Sequence, residues 1–184
     1  MQLDKFKIIA IDADDTLWDC QSYFDNVENM YCQLLSQYAD AETISESLCA
    51  TEKANMDCLG YGIKAFTMSL IENAIKISEG EVKGNIIEEI LQMGKSLLSF
   101  PTTPLPEVEN TLITLNERKN DDNYKLVVFT KGELQDQENK IKRSGLANYF
   151  DDVIIVSEKT EHEYRHLCVN YNIHPKELLM IGNS

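Results

Sequence analysis

The 184-residue chain has 43% hydrophobic and 26% charged residues, a globular composition that excludes an intrinsically disordered chain. Its net charge of −14 repels phosphate backbones and anionic lipid, which argues against nucleic-acid and membrane partners. The same charge repels a phosphorylated small molecule, so a phosphate site here requires locally concentrated cations.

The N-terminal apolar stretch ends at Asp12, too soon for a secretory leader, and no run reaches the roughly 18 apolar residues of a membrane span. The cysteines Cys20, Cys32, Cys49, Cys58 and Cys168 are odd in number and form no CxxC pair. Reduced thiols in a cytoplasmic protein are expected.

Residues 6–11 form an apolar run that predicts a buried strand, and it leads directly into Asp12-Ala13-Asp14-Asp15-Thr16. Residues i and i+2 of an extended chain point the same way, so Asp12 and Asp14 are expected to project together from the strand's carboxyl end. Paired carboxylates repel unless a cation or a shared proton separates them. They suit a hard-cation site or a nucleophile beside an acid. Asp and Thr also favour plain helix caps.

The next predicted strand begins only at residue 125, far beyond the roughly 30 residues of a whole strand–helix–strand unit. Three apolar stripes fill the interval: Phe24, Val27, Tyr31, Leu34, Tyr38; then Ile63, Phe66, Leu70, Ala74, Ile77; then Ile86, Ile90, Met93, Leu97. Their spacing predicts amphipathic helices packed on one another. The proline-rich residues 100–106 read as a linker returning to the sheet. A helical lobe over residues 20–100 is therefore expected between residues 1–19 and 101–184 of a core. Within that lobe Tyr61-Gly62-Ile63-Lys64 combines a helix breaker with a lysine suited to an anionic substrate group.

Residues 106–119 predict a helix opened by proline, with Val108, Leu112 and Leu115 on one face. Strand residues 125–129 end at Thr130, and Lys131-Gly132 are expected to open the next helix, whose N–H groups suit an anion. That helix, residues 133–144, should stop at Gly145 in a left-handed cap. Residues 153–156 predict a third strand, followed by Lys159, and residues 178–181 a fourth, followed by Gly182-Asn183-Ser184. Strands alternating with helices predict an α/β, doubly wound (Rossmann-like) parallel sheet. Between the last two strands, His162-Glu163-Tyr164-Arg165-His166 fits the H-E-x-x-H pattern of zinc proteases, but a third ligand is required. A polar helix explains it more simply.

Taken in order, these elements resemble the haloacid dehalogenase-like superfamily. Its motifs are a strand ending in D-x-D-x-T, a strand ending in Ser or Thr, a lysine after the next strand, and a strand ending in an acidic G-D-x-x-x-D loop. The resemblance implies a phosphohydrolase acting on a small phosphorylated metabolite. Asp12 would be the nucleophile, Asp14 the acid and base, Thr130 a phosphoryl ligand, and Lys159 a cation against Asp12. Mg²⁺ would be held by Asp12, the Asp14 carbonyl and Asn183. Substrate contacts would come from Thr130, Lys131, Gly132 and Lys64.

Dehalogenases of the superfamily usually lack the second Asp, so Asp14 favours phosphoryl chemistry. A phosphomutase would use the same core, and a phosphonate hydrolase would add a lobe lysine such as Lys53, Lys64 or Lys76. The fourth motif departs from the pattern. Asn183 replaces the first acid, and the sequence stops at Ser184 before the second. Weak Mg²⁺ binding and self-association through the last strand's open edge are the expectations. A core that binds a phosphorylated ligand or a partner without efficient catalysis is the alternative.

Overall fold

The computed structural model describes Leu3 and residues 5–183. The chain divides into two compact units, Met1–Cys20 with Pro101–Ser184, and Gln21–Phe100.

The first unit is built on four parallel strands: β1 (Ile8–Ile11), β2 (Lys125–Lys131), β3 (Asp152–Val156) and β4 (Leu178–Ile181), in the order β3-β2-β1-β4. Strand β1 is buried throughout, as is β2 from Leu126 to Thr130. This follows from their continuous apolar runs, which suit strands covered on both faces. On one face Ile8, Ala10, Val127 and Phe129 pack with Leu167. The alternating residues Ile9, Leu126, Ile11 and Val128 pair in register and point to the other face. The outer strands β3 and β4 are only partly buried.

The chain runs β1 to β2 to β3 in one direction, then returns to lay β4 on the opposite side of β1. In an open parallel sheet, that reversal leaves a crevice beyond the carboxyl ends of the strands it separates. Here those strands are β1 and β4.

The second unit holds four helices, α1 (Gln21–Leu34), α2 (Ala41–Leu59), α3 (Ile63–Ile77) and α4 (Gly84–Leu97). Val27, Tyr31, Ile44, Leu48, Phe66, Leu70, Ile86 and Ile90 belong to its core. The three stripes expected from the sequence lie on α1, α3 and α4, except that Tyr38 falls in the turn after α1; α2 was not anticipated. Asp40 caps α2 by accepting from the Thr43 N–H at 2.9 Å.

The remaining helices belong to the first unit: α5 (Val108–Arg118), α6 (Leu134–Ser144) and α7 (Glu161–Asn170). Helix α5 starts later than its proline suggested, because Glu107 has a left-handed backbone with φ 66°. Helix α6 ends at Gly145, φ 74°, as the left-handed cap requires. No helix among the described residues is long and apolar enough to cross a membrane.

Candidate active site

Parallel strands put all their carboxyl ends on one edge, and four of the residues singled out from the sequence follow from that alone. Asp12 comes directly after β1, Thr130 lies in the last turn of pleat of β2, Lys159 follows β3 and Asn183 follows β4.

Asp12 continues the β1–β4 ladder one residue past the strand, its N–H donating to the Ile181 carbonyl at 2.8 Å. Its carboxylate is buried. Oδ1 accepts from the Ala13 N–H at 2.8 Å and pairs with Lys159 Nζ at 2.6 Å. The side chains of both partners are only 5% exposed, so solvent screens this pair little. Either charge alone would be expensive to bury.

Gly182 brings the end of β4 against this carboxylate. A Cβ added there would stand 2.6 Å from the Asp12 Cβ, so a side chain at 182 would have to displace Asp12 or the strand. Beyond it, Asn183 is exposed and its Oδ1 accepts from Thr16 Oγ1 at 3.4 Å. This contact ties the last residue of the D-x-D-x-T run to the fourth motif. Ser184 lies outside the described residues.

Asp14 is held by a different set of groups. Trp18 Nε1 donates to Oδ1 at 2.9 Å and Gln137 Nε2 to Oδ2 at 2.8 Å. Lys140 Nζ reaches Oδ1 at 3.2 Å and Oδ2 at 3.0 Å. Burial pushes the Asp14 carboxyl up, but the Lys140 ammonium and the three donors outweigh it and hold the pKa below its ordinary value. Asp14 is therefore an ionised carboxylate in this state. Directly after the second acid the chain turns sharply: Asp15 has φ 56°, a conformation Asp tolerates better than most residues. Its Oδ1 accepts from the Cys20 N–H at 2.8 Å.

Thr130 is buried, 1% exposed, in register with Ile155 of β3. Two expectations about the start of the helix after β2 need correction here. Lys131 is the last residue of β2 and does not open the helix, which starts at Leu134. The Gly132 N–H donates to the Val156 carbonyl at 2.9 Å, so it is not available to cradle an anion as expected. Strand pairing runs further along β2 than the apolar run implied and takes that donor. Lys64 is exposed in the first turn of α3, in the helical unit.

His162 and His166 lie on α7 with ring centroids 6.2 Å apart. The His162 side chain is 82% exposed and its Nδ1 lies 3.1 Å from Glu163 Oε1. Among the described residues no cluster of three His, Cys, Asp or Glu side chains is arranged to hold a metal ion.

Lys140, Asp136, Gln137 and Trp18 were missed in the sequence. The i,i+4 spacing of Asp136 and Lys140 was a readable pair, but nothing local shows that it is buried. As candidate Mg²⁺ ligands, the Asp12 carboxylate, the Asp14 carbonyl and the Asn183 carboxamide are all oxygen donors, which suits a hard cation. The close seat of Gly182 on Asp12 puts the start of the fourth motif beside the first. The set brings one negative charge, so it fits a cation that keeps several waters.

A family model described as haloacid dehalogenase-like hydrolase matches residues 6–184. A haloacid dehalogenase-like family hydrolase from Xanthomonas campestris is 32% identical with a TM-score of 0.90, covering 98% of this chain and 74% of its own. L-2-haloacid dehalogenase from Xanthobacter autotrophicus shares the fold at 18% identity and a TM-score of 0.60, over 95% of this chain and 69% of its own. A magnesium-bound Bacillus subtilis protein does so at 14% identity and a TM-score of 0.61, over 97% and 78%. A comparison with curated proteins returned no match. The chain belongs to the haloacid dehalogenase-like hydrolase family.

Proposed function

We propose that this hydrolase is a Mg²⁺-dependent phosphatase of small phosphorylated metabolites, working through an aspartyl-phosphate on Asp12. The observation that carries the reading is the buried 2.6 Å pair of Asp12 and Lys159 at the sheet's carboxyl edge. Lys159 holds the nucleophilic carboxylate in place and offers positive charge where an incoming phosphoryl group needs it. The −14 chain otherwise repels that group.

In the first half-reaction an Asp12 carboxylate oxygen attacks phosphorus and the phosphorus–oxygen ester bond breaks. The leaving oxygen takes a proton from Asp14. In the second half, Asp14 removes a proton from water, whose oxygen attacks phosphorus. The bond to Asp12 breaks, releasing inorganic phosphate. Thr130 donates its hydroxyl to a phosphoryl oxygen throughout. Asp14 is ionised as it stands, and the negative charge of a bound phosphate monoester favours the proton it needs first. Mg²⁺ held by Asp12, the Asp14 carbonyl and Asn183 would neutralise phosphoryl charge. The second carboxylate also separates this reading from dehalogenation, which has no basic leaving oxygen to protonate.

Rapid-quench labelling with a ³²P-phosphomonoester tests the mechanism. Acid-stable label on the native chain, absent from Asp12→Asn, is the expected result. Turnover in Asp12→Asn near that of the native chain overturns it. Asn183, which brings no charge to the metal, favours a second reading, a phosphate-binding core without efficient catalysis. Saturable phosphate binding with no metal-dependent turnover of any monoester would select that one.

A further inference from the structure

Helix α6 buries the wrong residues for a helix whose only task is packing. Its buried positions are Asp136, Gln137, Lys140 and Ile141, while Leu134 is 60% exposed. An amphipathic helix turns its apolar stripe inward, and here the inward stripe is mostly polar. The Lys140 side chain is 2% exposed and that of Asp136 is 3%. Removing such groups from water is unfavourable unless each is closely paired. They are paired, with Lys140 Nζ at 3.0 Å from Asp136 Oδ2 and at 3.0 Å from Asp14 Oδ2. Fixed to the helix by Asp136, Lys140 donates to both oxygens of Asp14, with Cys20 Sγ at 4.0 Å from the same Nζ.

Gln137 stands one residue behind Asp136 and completes the grip. Its Nε2 donates to Asp14 Oδ2, while its own Oε1 is buried without a hydrogen-bond partner. An amide that leaves its oxygen unsatisfied to aim its nitrogen at a carboxylate is oriented by that carboxylate. Gly132 allows the approach, since a Cβ there would come within 2.9 Å of Gln137 Nε2. The helix is also tied at Lys140 itself, whose carbonyl accepts from buried Thr102 Oγ1 at 3.2 Å. Trp18 Nε1 closes the other side of Asp14. Both carboxylate oxygens are thus held from two directions by buried side chains.

We propose that Lys140, with Gln137, is a positioning residue that fixes the rotamer of Asp14 for proton transfer at the leaving oxygen. The proposal rests on the reading of Asp14 as acid and base. Lys140 does not touch the reacting phosphorus; it acts through Asp14. Proton transfer demands hydrogen-bond reach and alignment, and a loosened carboxylate loses both. In the first half-reaction the loss should therefore be confined to leaving oxygens that need the proton, while the water step slows for every substrate.

The test compares an alkyl phosphate, whose leaving oxygen is basic, with p-nitrophenyl phosphate, whose leaving oxygen is not. Lys140→Met alone strands two buried carboxylates, so the variant used is Lys140→Met/Asp136→Asn, which leaves Asp14 as the one charge. Gln137→Met is the second variant and changes no charge. Each should lower kcat/KM, which reports the first half-reaction, by roughly 10- to 100-fold for the alkyl phosphate and leave it nearly unchanged for the nitrophenyl ester, while kcat, which includes the water step, falls for both. Asp14→Asn, measured alongside, should show the same selectivity more strongly. If Asp14→Asn discriminates between the two substrates while both folded α6 variants do not, the positioning role is overturned and the reading of Asp14 stands. If Asp14→Asn does not discriminate, the acid reading falls and this proposal with it.

Discussion

The two units of this chain bury different things. In the sheet unit the buried set includes Asp12, Asp136 and Lys140, together with Gln137 and Thr130. In the helical unit it is mostly apolar, Ile and Leu above all, and its polar members, such as Thr51, Ser69 and Asn73, are uncharged. Apolar burial stabilises a fold at little risk, whereas a buried ion stabilises only when its partner is present. A region that keeps several ions in its interior is spending stability on electrostatic arrangement. Chemistry is therefore expected in the sheet unit, and shape and packing in the helical one.

Asp12→Asn is the largest blow to the chemical side of this contrast. The carboxamide keeps an acceptor for Lys159 and for the Ala13 N–H but cannot act as the nucleophile. Turnover should fall by at least about 10³-fold, with a stability loss of a few kcal/mol from removing one charge of a buried ion pair. Phosphatase assay and circular dichroism on the same sample check both. A fold that collapses in Asp12→Asn would mean that the pair is structural first.

Leu70→Ala strikes the packing side. Leu70 is 0% exposed in the core of the helical unit, and its carbonyl accepts the Tyr31 hydroxyl at 2.9 Å. Truncation should cost about 3 kcal/mol through lost transfer energy and a cavity. Urea unfolding gives the number. A change well under 1 kcal/mol would show a loosely packed lobe.

The same contrast explains what the sequence could tell. Strands β1, β2, β3 and β4 were readable as short apolar runs, and parallel topology then sets Asp12, Thr130, Lys159 and Asn183 on one edge. Helix α2 was missed because its buried face carries only Ile44 and Leu48 as large apolar residues before Thr51, although the Asp40 cap was a usable signal. Lys140 and Gln137 were invisible for another reason. A buried lysine looks like a solvated one in sequence, and only the fold brings α6 beside Asp14. Gly132 was misjudged because β2 extends two residues past its apolar run, and the following N–H joins β3.

Gly182→Ala sharpens the contrast from the backbone side. Its added Cβ would lie 2.6 Å from the Asp12 Cβ, against a short side chain already held by Lys159. A shift of Asp12 by a fraction of an ångström should lower kcat by roughly 10²-fold, about 2.7 kcal/mol of barrier. Binding of inorganic phosphate should change less. Equal losses in kcat and in phosphate affinity would place the damage in the pocket and not on the nucleophile.

The smallest effect probes a charge of the sheet unit that has no part in the proposed chemistry. Asp151 precedes β3; its Oδ2 accepts from the Leu126 N–H and its Oδ1 pairs with Lys119 Nζ, both at 2.9 Å. Burial raises its pKa, but the Lys119 donor and charge and the Leu126 N–H together hold it below its ordinary value. A carboxylate whose pKa is lower folded than unfolded stabilises the fold above its unfolded value, near 3.9, and loses that contribution as pH falls through the folded value. The group is about a third exposed, so solvent screening limits the effect to about 1 kcal/mol. Asp151→Asn should therefore be less stable than the native chain by about that amount at pH 6, and the gap should narrow as pH falls below 4. Activity at neutral pH should not change. A gap that stays constant across this range would mean that the hydrogen bond to Leu126, and not the charge, accounts for the stabilisation.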